Sequence, residues 1–154
     1  MVVFDILPRK FVQYDGKGAS RCAVAELCGV ALSPLKRALK TAEIICSGEI
    51  VCDNRIIERC NGELEGRTNV NSLIDFSDPN DTRYGVEPLP EFRERITDFW
   101  NDILRSYSGK NILVVTHAGV VIYSQAYFRG EPENGDYRSY KIKNCDIIQI
   151  ENNS

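Results

Sequence analysis

Among 154 residues there is a single histidine, His117. That scarcity excludes most zinc chemistry. Six cysteines (Cys22, Cys28, Cys46, Cys52, Cys60 and Cys145) form no Cys-x-x-Cys pair and have one imidazole to join them. No metal site is expected, and nothing calls for a cofactor. Nowhere does an apolar run approach the ~18 residues of a membrane span. The start, Met1-Val2-Val3-Phe4-Asp5-Ile6-Leu7, lacks a basic segment and a small-residue cleavage site, so it does not read as a signal peptide. Together these absences predict a cytoplasmic protein whose cysteines are reduced, half-buried small hydrophobes. Hydrophobic content of 43% and charge of 27% are ordinary for a globular chain, and the length suits one domain, 1–154.

The net charge of −3 is unevenly spread: residues 1–40 hold seven Lys/Arg against three Asp/Glu, leaving −7 for the remainder. An acidic whole without a basic stripe argues against nucleic acid. A local positive pocket for a small anion is the better use of that asymmetry.

Strand and helix signals alternate, which predicts an α/β fold with a mainly parallel sheet. Val2 to Leu7 reads as a strand ended by Pro8. Ala19 to Cys28 reads as a helix, and Val30-Ala31-Leu32 is too short to assign. Ser33-Pro34 starts a helix, with serine as N-cap and proline at the first helical position. Leu35, Ala38, Leu39, Ala42, Ile45 and Cys46 recur at helical spacing and give it an inward stripe. Asn61 to Pro88, rich in Gly, Asn, Asp and Pro, reads as a surface excursion anchored by Leu73, Ile74 and Phe76. Leu89-Pro90 opens an amphipathic helix with Phe92, Ile96, Phe99, Trp100, Ile103 and Leu104 on its core face. Tyr140–Ile142 and Ile147–Glu151 read as closing strands.

Three places suggest chemistry. His117 follows the β-branched, non-alternating run Ile112-Leu113-Val114-Val115, which suits a strand buried on both faces. Ala118-Gly119 then turns into a helix, so the imidazole stands at a strand's carboxyl end beside a helix N-terminus, where open α/β sheets bind anions. The bland alternative is a core histidine satisfied by a carbonyl. Lys36 and Arg37 occupy a first helical turn, where the helix dipole favours acids instead. An anion docked there would reverse that mismatch, and the planar fork of Arg37 suits phosphate; the alternative is that both reach into solvent. Glu58 follows Ile56-Ile57, where half-burial would raise its pKa into the range of a general acid. Its default explanation is a surface pair with Arg55 or Arg59.

The segment Ser33-Pro34-Leu35-Lys36-Arg37-Ala38-Leu39-Lys40-Thr41-Ala42-Glu43 is very similar to one in the histidine phosphatase superfamily, the phosphoglycerate-mutase-like proteins. The resemblance continues through Glu58-Arg59 with Gly62-Glu63-Leu64-Glu65-Gly66, then Glu87-Pro88-Leu89-Pro90-Glu91-Phe92-Arg93, then Leu113-Val114-Val115-Thr116-His117-Ala118-Gly119, and reaches Asn144-Cys145. The short spacing from Arg37 to His117 is closer to small bacterial phosphatases such as the α-ribazole phosphatase-like members. The resemblance implies a three-layer α/β/α fold and small phosphomonoesters as ligands. It implies that Arg37 binds the phosphoryl group, that His117 holds its oxygens during transfer, and that Glu58 protonates the leaving alcohol. The amides from Ala118 onward would add anion-binding dipoles. The implied partner is a small phosphorylated metabolite, with a homodimer as a further expectation and neither nucleic acid nor a membrane.

One departure matters as much as the match. The family's nucleophile is a different histidine, in an Arg-His-Gly motif that ends the first strand. Here that strand runs into Leu7-Pro8-Arg9-Lys10-Phe11. Arg9 aligns with the motif arginine as a further phosphate ligand, but Lys10 replaces the nucleophile and Phe11 the glycine. The resemblance breaks abruptly near residue 32, so residues 1–31 read as an atypical, truncated or replaced N-terminus, of which 12–31 are expected to pack loosely. Three readings remain open: a phosphomonoesterase by descent, impaired for want of its nucleophile; a non-catalytic phosphate-binding pseudophosphatase; and a structural remnant with no formed pocket.

Overall fold

The computed structural model describes residues 2–6, 27–45, 50–68, 70, 73–75, 78–79, 81–143 and 146–150. At its centre is the apolar run before His117. Its lack of alternation demands cover on both sides, and in β4 (Asn111–Thr116) every residue from Ile112 to Thr116 is buried. Around it lie β1 (Val2–Ile6), β2 (Leu27–Leu32), β3 (Ile50–Cys52) and β5 (Ile147–Ile150), in the order β3-β2-β4-β1-β5.

The period-2 geometry of β4 divides its residues between two helical layers. Leu113 and Val115 pack with Leu32 and with Ala38 and Ala42 of α1 (Lys36–Ile45). Ile112 and Val114 pack with α2 (Leu89–Ser106) and α3 (Ala118–Arg129) on the other face. The result is the expected three-layer α/β/α arrangement, with β3, β2 and β4 parallel. The stripe read from sequence holds α2 down: Leu89, Phe92, Ile96, Phe99 and Trp100 are buried. Each contributes about 1.5–3 kcal/mol of gross burial free energy. The Trp100 indole also donates to Ser124 Oγ of α3 at 2.8 Å, joining the two helices.

Several local readings need correction. Residues Leu27–Leu32 form a strand, so the helix expected over Ala19–Cys28 does not extend to its end; residues 19–26 lie outside the described residues. The three-residue run at 30–32 was too short to reveal a strand by itself; pairing with β4 defines it. Helix α1 starts at Lys36 rather than at Pro34, with the Leu35 carbonyl accepting from the amides of Ala38 and Leu39. Tyr137–Tyr140 is a short 3-10 turn and Lys141–Lys143 is irregular, so only β5 closes the sheet. Within the surface excursion, Leu64, Ile74 and Val86 form their own small core, packed against Val70 and Leu73; Phe76 lies outside the described residues. Gly62 is required there. Its φ is +54°, and a Cβ would stand 2.1 Å from the Tyr84 carbonyl oxygen.

The largest surprise is the direction of β1. It pairs with β4 antiparallel, Val2 opposite Thr116 and Ile6 opposite Ile112, while β5 runs parallel to it. The carboxyl end of β1 therefore lies at the rim of the sheet away from His117. The resemblance had implied a first strand that ends beside that histidine.

Among the described residues no helix is long and apolar enough to cross a membrane. The last side chain of β4 ties the sheet to the loop after β3: Thr116 Oγ1 donates to the Ile56 carbonyl at 2.6 Å, both buried. Thr116→Val keeps the shape and removes the donor. It should cost about 1–3 kcal/mol, the penalty of a buried acceptor left without its partner, read as a lower urea midpoint at unchanged slope.

Candidate active site

Parallel strands bring their carboxyl ends to one rim, and here that rim collects the loops that follow β2, β3 and β4. Ser33 follows β2, Arg37 stands in the first turn of α1, Glu58 lies beyond β3, and His117 ends β4. Position 117 continues the alternation of Leu113 and Val115, so the imidazole turns toward α1.

Both ring nitrogens are engaged. Arg37 Nε donates to His117 Nδ1 at 3.2 Å, and Ser33 Oγ lies 2.7 Å from Nε2. A guanidinium only donates, so Nδ1 must hold a lone pair. The neutral ring then carries its proton on Nε2 and donates it to Ser33. Burial, and next the Arg37 charge, lower the pKa of His117 from 6.5 to about 4. His117 is 2% exposed, whereas Arg37 is exposed. Among the described residues the Arg37 guanidinium has no hydrogen bond beyond Nε, leaving its two Nη groups available.

Glu58 lies on the other side of the α3 N-terminus. Its Oε2 accepts from the Gly119 amide at 3.4 Å and its Oε1 from the Arg59 amide at 3.1 Å. Burial is the largest influence and raises its pKa above 4.5; both amides and the charges of Arg37 and Arg95 work in the opposite direction without prevailing. Glycine at 119 makes room for this carboxyl, since a Cβ there would stand 2.4 Å from Glu58 Oε1. Ala118, exposed, opens the same helix.

The structure thus brings Arg37, Glu58, His117 and Ala118 to one rim. Arg9 lies outside the described residues, as does Lys10. Sequence reading missed three contributors. Ser33 looked like a helix cap, yet its hydroxyl serves the imidazole and reaches the Leu35 amide only at 3.5 Å. Thr116 and Arg95 gave no signal, because hydroxyls at strand ends and arginines on helices are common. Among the described residues no three His, Cys, Asp or Glu side chains gather where they could hold a metal ion.

Two measurements follow from this geometry. Unfolding frees His117 to titrate at its ordinary 6.5, while the folded ring stays neutral down to about 4. Below 6.5 the unfolded chain takes up the extra proton, so stability falls as the pH drops through that window. His117→Gln should lose less stability than the parent between those two pH values, by thermal melts. For Gly119→Ala, the new methyl meets the far end of a flexible side chain. Global stability should change by under about 1 kcal/mol, while carbon-13 NMR of the Glu58 carboxyl should show its titration falling toward 4.5 as water reaches it.

Comparison with known proteins gives the family and the fold. The sequence model of the histidine phosphatase superfamily, branch 1, matches residues 18–154, so β1 precedes the matched segment. YhfR of Bacillus stearothermophilus shares the fold, with a TM-score of 0.62 at 21% identity over 86% of this chain and 82% of that one. No curated protein matches the chain. With nearly its whole length matched, this chain belongs to the histidine phosphatase superfamily, branch 1.

Proposed function

We propose that this protein binds small phosphomonoesters at the Arg37–His117 rim, and that its turnover is impaired because it lacks a nucleophilic histidine. The observation that carries this reading is the pair of available Nη groups on an exposed Arg37, held over a neutral imidazole beside a helix N-terminus. A phosphoryl group would accept two parallel hydrogen bonds from that fork. Amides at the start of α3, from Ala118, would add positive dipole.

In this reading Arg37 leaves His117 Nδ1 for the anion. The imidazole, relieved of its cationic neighbour's donor, then changes tautomer: Nε2 gives up its proton and accepts from the Ser33 hydroxyl, while Nδ1 takes up a proton from water and donates it to a phosphoryl oxygen. Glu58, held protonated longer than an ordinary carboxyl by burial, supplies the acid for a leaving alcohol. What is missing is the attacking group. Covalent transfer needs an imidazole with a free lone pair aimed at phosphorus, and the one histidine is occupied in this reading, with Nε2 on Ser33 and Nδ1 on the phosphoryl oxygens.

A stronger form of the same reading is a non-catalytic pseudophosphatase. The direction of β1 favours it, because the strand that would carry a nucleophile in the family runs away from the rim. The proposed ligand is a small phosphorylated metabolite met in the cytoplasm, with a homodimer as the assembly; Arg9, three residues past the end of β1, would be a further phosphate ligand only where the chain after β1 turns back to the rim.

Charge-assisted hydrogen bonds contribute about 1.5–3 kcal/mol each, so the Arg37 fork alone supports binding in the millimolar range, ~4 kcal/mol. Phosphorus-31 NMR or calorimetry should detect phosphate binding of that order. Arg37→Ala should abolish it and His117→Ala weaken it less. Steady hydrolysis of p-nitrophenyl phosphate at about 10 per second, an ordinary enzyme rate, would overturn the claim of impairment. No binding at all by the parent would leave only a structural remnant.

A further inference from the structure

Glu58 stands on an irregular stretch of chain, where a side chain is placed only as well as its backbone is anchored. That backbone is gripped from α2. Arg95 Nη1 donates to the Arg55 carbonyl, and Nη2 reaches the carbonyl of Glu58 itself at 3.5 Å. The guanidinium is in turn locked by Glu87, with Nε 2.6 Å from Oε1 and Nη2 2.9 Å from Oε2. Glu87 grips the same loop a second time: its Oε2 accepts from the Cys60 amide at 3.1 Å, and its own amide donates to the Cys60 carbonyl at 2.9 Å. Its carbonyl accepts from Arg59 Nε at 2.8 Å. Both partners are largely shielded, at 21% and 16% side-chain exposure, so the pair is not a solvent-weakened surface bridge. The Arg95 guanidinium also lies 4.6 Å from the centre of the Phe92 ring, whose edge closes the space beside Gly119.

We infer that Arg95, locked by Glu87, is a positioning residue for Glu58: its fork fixes the loop at the residue's own carbonyl and so keeps the carboxyl folded against the Gly119 amide. The inference rests on the reading of Glu58 as the acid of the site, and extends it to a clamp that touches no reacting atom. Sequence distance hides it, since Arg95 is 37 residues from Glu58.

The clamp can be separated from a mere charge effect. Two guanidinium charges act on Glu58, that of Arg37 from α1 and that of Arg95 from α2, and the amides of Arg59 and Gly119 donate to it. All four favour the carboxylate; only burial opposes them. If Arg95 acted as a charge alone, removing it would raise the titration midpoint of Glu58. If it acts as a clamp, removing it lets water in, and the midpoint falls.

The experiment is a carbon-13 carboxyl NMR titration of the full chain, with the Glu58 signal assigned through Glu58→Gln. Arg95→Met and Arg95→Lys should both lower the midpoint, back toward the ordinary 4.5. The lysine keeps the charge but cannot span Glu87 and two carbonyls at once. Glu87→Gln should shift it less, in the same direction, and with Arg95→Lys decides the matter if Arg95→Met does not fold. A rise on removing Arg95, or a parent-like titration in Arg95→Lys, overturns the clamp. Phosphate titration of the parent chain keeps the two ideas apart: failure to bind refutes the functional reading and leaves the result at Glu58 intact.

Discussion

Two hydrogen bonds to one buried imidazole hold the rim together. Ser33 comes from the end of β2, Arg37 from the start of α1 and His117 from the end of β4, and they meet only because β2 and β4 are adjacent and parallel. The Ser33 amide adds a third link by donating to the Val115 carbonyl at 3.0 Å. The arrangement fixes the charge state as well as the shape. An arginine donating to Nδ1 forbids a proton there, and burial forbids a second charge beside the guanidinium. His117 is neutral at physiological pH because of where it is held.

Glu58 repeats the same contest with the opposite sign. Four donors and charges favour its carboxylate, yet burial prevails and raises its pKa. Such a balance is only as durable as the wall that keeps water out. Beside the carboxyl stand Gly119 and the edge of Phe92, and its loop is tied down by Thr116 from the sheet and by Arg95 from α2. Acid chemistry at the rim would therefore depend on residues distant in sequence that make no contact with a phosphoryl group.

Much of this was legible in the sequence wherever a signal was local. The run from Ile112 to Val115 declared a doubly buried strand, and the stripe from Phe92 to Trp100 declared a helix with a core face. Both are written in the spacing of adjacent residues. The misread pieces depended on neighbours. Residues 27–32 include Gly29 and two small apolar residues, so a strand there becomes evident only through its pairing with β4. Ser33 satisfied the pattern of a cap, but a hydroxyl takes the best acceptor or donor within reach, and the imidazole lies 0.8 Å nearer than the Leu35 amide, 2.7 against 3.5 Å. The direction of β1 was unreadable in principle. A short apolar strand has nearly the same pattern read from either end, and only the connections and register decide which way it enters the sheet.

That last point bears on catalysis more than any substitution does. Losing a nucleophile by replacement leaves a vacancy of the right shape, which a neighbouring side chain or a single reversion can fill. Reversing the strand changes what reaches the rim. With Val2 opposite Thr116 and Ile6 opposite Ile112, each residue along β1 moves farther from His117. Four residues of extended chain span about 13 Å, well beyond the reach of a side chain toward a shared phosphoryl group. A histidine restored at position 10 would thus have to be carried back across that distance by the chain that follows β1. The cluster of Ser33, Arg37 and His117, built on β2, α1 and β4, needs no such return. If the proposed reading holds, binding and turnover would be separable in this fold, because the groups each requires are mounted on different strands.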